Sequence, residues 1–170
     1  MCQQPRAPAR REAGKRRRPG GARRIRPRAT TIRGMRGLII DYRRVLDGAD
    51  EEQARWRKLL QAARANGVAL AVLSNDPGGP DADPIRALER DGLVDAVVLS
   101  GEVGAEKPTP EAFDITAGKL DLPARDCVLV DDSIENIHGA VSHGMVGVFY
   151  QQFDRAVVEI TGLFDLDGEF

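Results

Sequence analysis

Leu38-Ile39-Ile40-Asp41-Tyr42-Arg43-Arg44 is the stretch whose reading decides the fold. Three branched aliphatic residues run without polar alternation into a carboxylate, and turn-like residues follow to Gly48. Such a run suits a short strand covered on both faces, as in a parallel sheet. The pattern returns downstream. Cys127-Val128-Leu129-Val130 ends in the paired carboxylates Asp131-Asp132, and Ala69-Leu70-Ala71-Val72-Leu73 ends at Ser74.

Working outward, the apolar runs predict strands over 37–41, 68–73, 95–99, 126–130 and 145–149. The intervals carry helical spacing. Trp56, Leu59, Leu60 and Ala63 define a helix over 51–65, with Asp50 as its N-cap and Gly67 as its stop. Asp83 is expected to cap a helix over 84–91 opened by Pro84. Thr109 and Pro110 open a third over 110–120. Ser133 caps a fourth over 134–143, ended by Gly144. A last helix spans about 154–163. Alternating strands and helices of this kind specify an α/β fold, a Rossmann-like open parallel five-stranded sheet with helices on both faces. Right-handed crossovers then gather the C-terminal ends of all strands on one rim, where ligands bind. Asp41, Ser74, Ser100 and Asp131 all fall there.

Composition narrows the field. The 170-residue chain has the length of one domain. No apolar run approaches a membrane span. Of the two cysteines, Cys2 lies in a polar N-terminal stretch and Cys127 inside a predicted strand, so a reducing cytoplasm is the natural setting. The formal net charge of −1 hides a division. Residues 1–34 hold twelve Lys and Arg against one acid, which leaves thirteen basic and twenty-five acidic residues beyond them. An acidic globule is no nucleic-acid grip, so nucleic acid is expected only through the basic tail. That tail reads as a disordered Arg-rich segment: a nucleic-acid or partner-binding arm, a targeting segment (against which stand the missing apolar stretch and the absence of serine), or, the favoured reading, an over-extended start with Met35 the true first residue. Residues 35–170 read as the single folded domain.

Taken singly, each rim residue has a plain reading. Asp41 suits a turn, Ser74-Asn75 a tight connection, Lys107-Pro108 a solvated lysine before a helix, and Asp131-Asp132-Ser133 a helix cap. Taken in order, the four segments resemble the motifs of the haloacid dehalogenase superfamily, whose members are mostly phosphatases. The resemblance covers about residues 37–150. It implies that Asp41 is the nucleophile, forming an aspartyl-phosphate. It implies a Mg²⁺ ion held by Asp41, the backbone carbonyl of Arg43, Asp131 and Asp132, which offsets the repulsion between carboxylate and phosphate. Ser74, Asn75 and Lys107 would bind the phosphoryl oxygens. Asn136 completes an Asp-Asp-Ser-x-x-Asn run and holds the loop or touches the site. His138 and His143 have no partner cluster and read as structural or exposed, and Trp56 as helix core.

Arg43 departs from the pattern. Typical phosphatases of this family carry a second aspartate there, which protonates the leaving alcohol and later deprotonates water. Arginine exchanges no proton near neutrality. Its fork could bind a second anionic group of the substrate, or it could pair with Asp131 or Asp132 and displace the metal. Two functions lead at this point: a Mg²⁺-dependent phosphomonoester hydrolase, and a catalytically impaired relative that binds a phosphorylated ligand or a partner protein; a metal-free dehalogenase is a distant third, because the pair Asp131-Asp132 reads as a metal site. The short intervals around the motifs leave no room for a cap domain. An open site suits a phosphorylated small molecule or macromolecule, or closure by a second subunit of the same chain. The Pro/Gly-rich loop from Asp76 to Asp81 reads either as a small lid or as a plain connection.

Overall fold

β1 (Gly37–Ile40), β2 (Ala69–Ser74), β3 (Ala96–Leu99), β4 (Cys127–Asp131) and β5 (Val146–Phe149) form one parallel sheet in the order β3-β2-β1-β4-β5. The computed structural model describes residues 34–170, so apart from Gly34 the expectations for the tail lie outside the described residues. Among the described residues, six α-helices connect and flank the strands: α1 (Asp50–Ala65), α2 (Asp83–Arg90), α3 (Ser100–Val103), α4 (Pro110–Lys119), α5 (Ile134–Ser142) and α6 (Phe153–Phe164). Among the described residues, no helix is long and apolar enough to cross a membrane.

The central strands are apolar on both sides because both sides are covered. Leu38, Ile40, Val72 and Val130 pack with Trp56, Leu59 and Ile160 from α1 and α6. Ile39, Leu73 and Leu129 face the other way, onto Phe113 and Ala117 of α4 and Ile137 of α5. Trp56 is core, against Phe153 and Tyr150.

The strand order places the site. The chain runs outward from β1 through β2 to β3, then returns to the other side of β1 as β4. The connections on the two sides of this switch diverge, which opens a crevice at the C-terminal rim. Asp41 follows β1 directly and Asp131 closes β4, so the two carboxylates flank the switch.

Several local expectations need correction. Ala49, not Asp50, precedes α1, and Asp50 joins Glu51 and Glu52 in the first turn, where acids suit the helix dipole. Asp83 likewise lies inside α2, and its carboxylate takes Arg90 seven residues on rather than a backbone N–H. Thr109 precedes α4, but its hydroxyl donates to the Glu106 carbonyl. Ser133 caps α5 as expected, accepting from the Asn136 N–H. Ser100 opens α3, a single turn that the spacing did not predict.

Candidate active site at the strand switch

Lys107 joins the two strand ends. Its Nζ donates to Asp41 Oδ1 and to Asp131 Oδ2, each at 2.6 Å. All three side chains are withdrawn from water: Asp41 is 6% exposed, Lys107 3% and Asp131 0%. Buried charges persist only when paired and hydrogen-bonded. Two carboxylates against one ammonium leave one negative charge in excess. Asp41 carries the consequence. Burial pushes its carboxyl up to about 6, Lys107 pulls it back, and Asp131 adds a further upward push.

Asp131 is the most fixed of the three. Oδ1 accepts from the Ser133 N–H at 2.8 Å and from Asn136 Nδ2 at 3.0 Å. Oδ2 accepts from the same amide at 3.1 Å as well as from Lys107. The Asp-Asp-Ser-x-x-Asn spacing explains this, because the first turn of α5 folds Asn136 back onto the strand end. Asn136 thus supports the site as a partner of Asp131.

The lysine is aimed by its backbone. Asn75 Nδ2 donates to the Lys107 carbonyl at 2.9 Å, and the Lys107 N–H donates to Asn75 Oδ1 at 2.8 Å. Both ends of the Asn75 amide are thereby engaged on the main chain of Lys107. Behind it, Gly139 of α5 lies so close to Pro108 that an added Cβ would meet the proline Cβ at 2.6 Å. Ser74 closes β2 at the same rim and is buried.

The arginines go elsewhere than the displacement reading expected. Arg43 pairs with neither Asp131 nor Asp132; its Nη2 donates to Asp76 Oδ2 at 3.1 Å. Arg44 is the residue that reaches Asp132, through Nη1 at 3.2 Å, and it does so from an exposed position. Arg44 adopts a left-handed backbone, φ 61°, in a turn where its N–H donates to the Asp47 carboxylate. Asp47 therefore shapes the loop after β1. Asp76 is a site residue the sequence reading missed. The signal was available in part: an acid two residues past the end of β2, opposite an arginine three residues past the end of its neighbour β1. Of the histidines, His143 meets Asp114 at 2.7 Å and His138 is exposed, so neither joins the rim.

Asp41, Asp131 and Asp132 each offer a carboxylate oxygen, all within 4.8 Å of one another. Three hard oxygen donors with an excess of negative charge fit a small divalent cation such as Mg²⁺. A cleft of about 480 Å³ opens beside Asn75, between Pro77, Gly101, Gly104 and Glu106.

Paired carboxylates and a shared lysine at the switch point of a doubly wound sheet define a class of acid-rich α/β site able to hold a cation and an anion together. The comparisons supply the family. The family model for haloacid dehalogenase-like hydrolases matches residues 9–144, and the chain belongs to that family. It is 31% identical over 102 residues to a sesquiterpene phosphatase of Aspergillus oryzae, a match covering 59% of this chain and 52% of that one. The chain thus spans about half the length of that relative. A crystal structure of a Corynebacterium glutamicum protein superposes with a TM-score of 0.80 at 67% identity, over 81% of this chain and all of the other. A hydrolase of the same superfamily from Ehrlichia chaffeensis superposes with a TM-score of 0.60 at 16% identity, over 78% of this chain and 97% of that one, a likeness of fold.

Proposed function

We propose that this protein is a Mg²⁺-dependent phosphomonoester hydrolase that works through an aspartyl-phosphate on Asp41. The observation that carries the reading is the buried bridge from Asp41 through Lys107 to Asp131, with Asp132 within reach. The partial match to a sesquiterpene phosphatase supports phosphate-ester chemistry in general and leaves the alcohol open.

Asp41, Asp131, Asp132 and the backbone carbonyl of Arg43 would hold the cation. Bound there, it would offset the repulsion between the Asp41 carboxylate and an incoming phosphate. A carboxylate oxygen of Asp41 attacks phosphorus, the ester P–O bond breaks, and the alkoxide leaves. Lys107 neutralises charge on the nucleophile and the transferring group, and Ser74 donates to the phosphoryl oxygens. Water then attacks phosphorus, releases phosphate and restores Asp41. With Arg43 in place of an acid, the proton for the alkoxide comes from water, and no side chain at that position deprotonates the attacking water. General acid–base help is worth about 10²–10⁴ in rate, so turnover should be slow. Asn75 acts by holding Lys107 rather than by gripping phosphate.

The test is a phosphate-ester panel assayed with and without Mg²⁺, beside Asp41→Asn. Mg²⁺-dependent release of phosphate, abolished by that change, supports the reading. An inert protein that gains nothing from Arg43→Asp overturns it in favour of a binding role.

A further inference from the structure

We infer that Arg43 selects substrates carrying a second anionic group, a carboxylate or another phosphate, on the alcohol being released. The inference rests on the phosphate-ester reading above.

Arg43 lies two residues past Asp41, and its guanidinium, 65% exposed, reaches Asp76, which sits between the cleft residues Asn75 and Pro77. Its partner is the opposite kind of residue. Asp76 is 4% exposed and fixed on every side. Oδ1 accepts from the Gly78 N–H at 2.9 Å. Its carbonyl accepts from the Gly101 N–H at 3.0 Å and from Ser100 Oγ at 3.2 Å. An added Cβ on Gly101 would lie 2.2 Å from the Pro77 carbonyl oxygen, so α3 is packed hard against this loop. A buried, hydrogen-bonded acid thus holds one corner of an exposed cation.

The pair is half-buried: Arg43 compensates the charge of the buried Asp76, and in doing so its guanidinium is held at one corner. The anchor makes sense as preorganisation. Arginine has five N–H donors, and among the described residues only Nη2 is engaged by a side chain. The rest can receive a planar anion in bidentate fashion at little ordering cost. The other cations at the rim are committed to the metal-site carboxylates, Lys107 to Asp41 and Asp131, and Arg44 to Asp132. Charge points the same way. Relative to the family pattern described above, Arg43 in place of an aspartate moves the mouth of the site two units towards positive.

The test uses inert analogues, so it does not depend on turnover. Full-length protein in Mg²⁺ buffer is titrated calorimetrically with 3-phosphonopropionate and with propylphosphonate, which differ in the carboxylate. Propane-1,3-bisphosphonate tells whether a phosphate is preferred to a carboxylate. The doubly anionic ligands are expected to bind about 10- to 100-fold tighter, the worth of one charge-assisted contact. Arg43→Gln should bring that ratio towards one, Arg43→Lys should keep part of it, and Asp76→Asn should fall between. Equal affinities in the parent, no binding of any phosphonate, or a preference that survives Arg43→Gln would each overturn the inference. Ester hydrolysis without a preference would remove this inference alone. A preference lost in Arg43→Gln, in a protein without hydrolysis, would remove the hydrolase reading and leave Arg43 assigned.

Discussion

The ends of β1 and β4 are neighbours, paired in register from Gly37 with Cys127 to Ile40 with Val130, and both deliver a carboxylate to the rim. Their surroundings differ. Asp131 is enclosed by the Ser133 N–H, the Asn136 amide and the Lys107 ammonium, and a helix begins immediately after it. Among the described residues, Asp41 has Lys107 as its one side-chain donor, and the loop that follows carries two exposed arginines, Arg44 with a left-handed backbone. One end is fixed by its own chain. The other holds a charge its surroundings do not fully balance, with a carboxyl pushed up to about 6. The difference supports the proposed roles, Asp41 as nucleophile and Asp131 as metal anchor, since a nucleophile loses reactivity when every lone pair is bonded.

The harshest way to break this comparison is to remove what the two ends share. Lys107→Met leaves two buried carboxylates facing each other. Destabilisation of about 3–5 kcal/mol in urea melts, with loss of any turnover, is the expected result.

Removing each acid in turn should give opposite signs in metal-free protein. Asp131→Asn breaks a satisfied network and should lower stability by about 1–3 kcal/mol. Asp41→Asn should raise it. The folded pKa of Asp41, about 6, lies above its unfolded value of 3.8, so the proton it holds stabilises the fold below pH 3.8 and that stabilisation is lost as pH rises through 6. The advantage of Asp41→Asn over the parent should therefore be small at pH 4 and grow to about 3 kcal/mol at most by pH 7. Melts of both proteins across that window read it directly, and a lower melting temperature for Asp41→Asn at pH 7 would contradict the picture.

Asn136→Ala sharpens the contrast from the β4 side. It frees Asp131 from two hydrogen bonds and should weaken Mg²⁺ binding about 10- to 100-fold, as loss of a ligand's supporting partner does, measured by calorimetry. The smallest effect belongs to Arg44→Ala. Its pair with Asp132 is exposed, so stability should shift by less than about 1 kcal/mol, and Mg²⁺ should bind no more weakly once Asp132 is released.

The β4 end was legible in the sequence and the β1 loop only in part, for a physical reason. Strands covered on both faces announce themselves as apolar runs, so all five were located within a residue or so, and the acids that end them came with them. Asn136 was visible because its partner is five residues away, one helical turn from the strand end. Asp76 and Arg43 lie 33 residues apart and meet because β1 and β2 are adjacent, which no local pattern records. The Asn75 clamp on Lys107 spans 32 residues and was hidden in the same way. α3, at four residues, is shorter than the window in which a helical period can be read. The caps assigned to Asp50 and Asp83 failed because an acid inside the first turn satisfies the dipole nearly as well as one before it.

Covalent phosphorylation of Asp41 is the claim everything else serves, and chemical trapping during turnover tests it most directly. With no acid–base group at residue 43 to activate water, an acyl phosphate once formed should be long-lived enough to trap. Borohydride added in the steady state should convert residue 41, and no other aspartate, to homoserine, seen by peptide mass spectrometry. Ester hydrolysis without any reduced residue at 41, or equal hydrolysis by Asp41→Asn, would contradict the account.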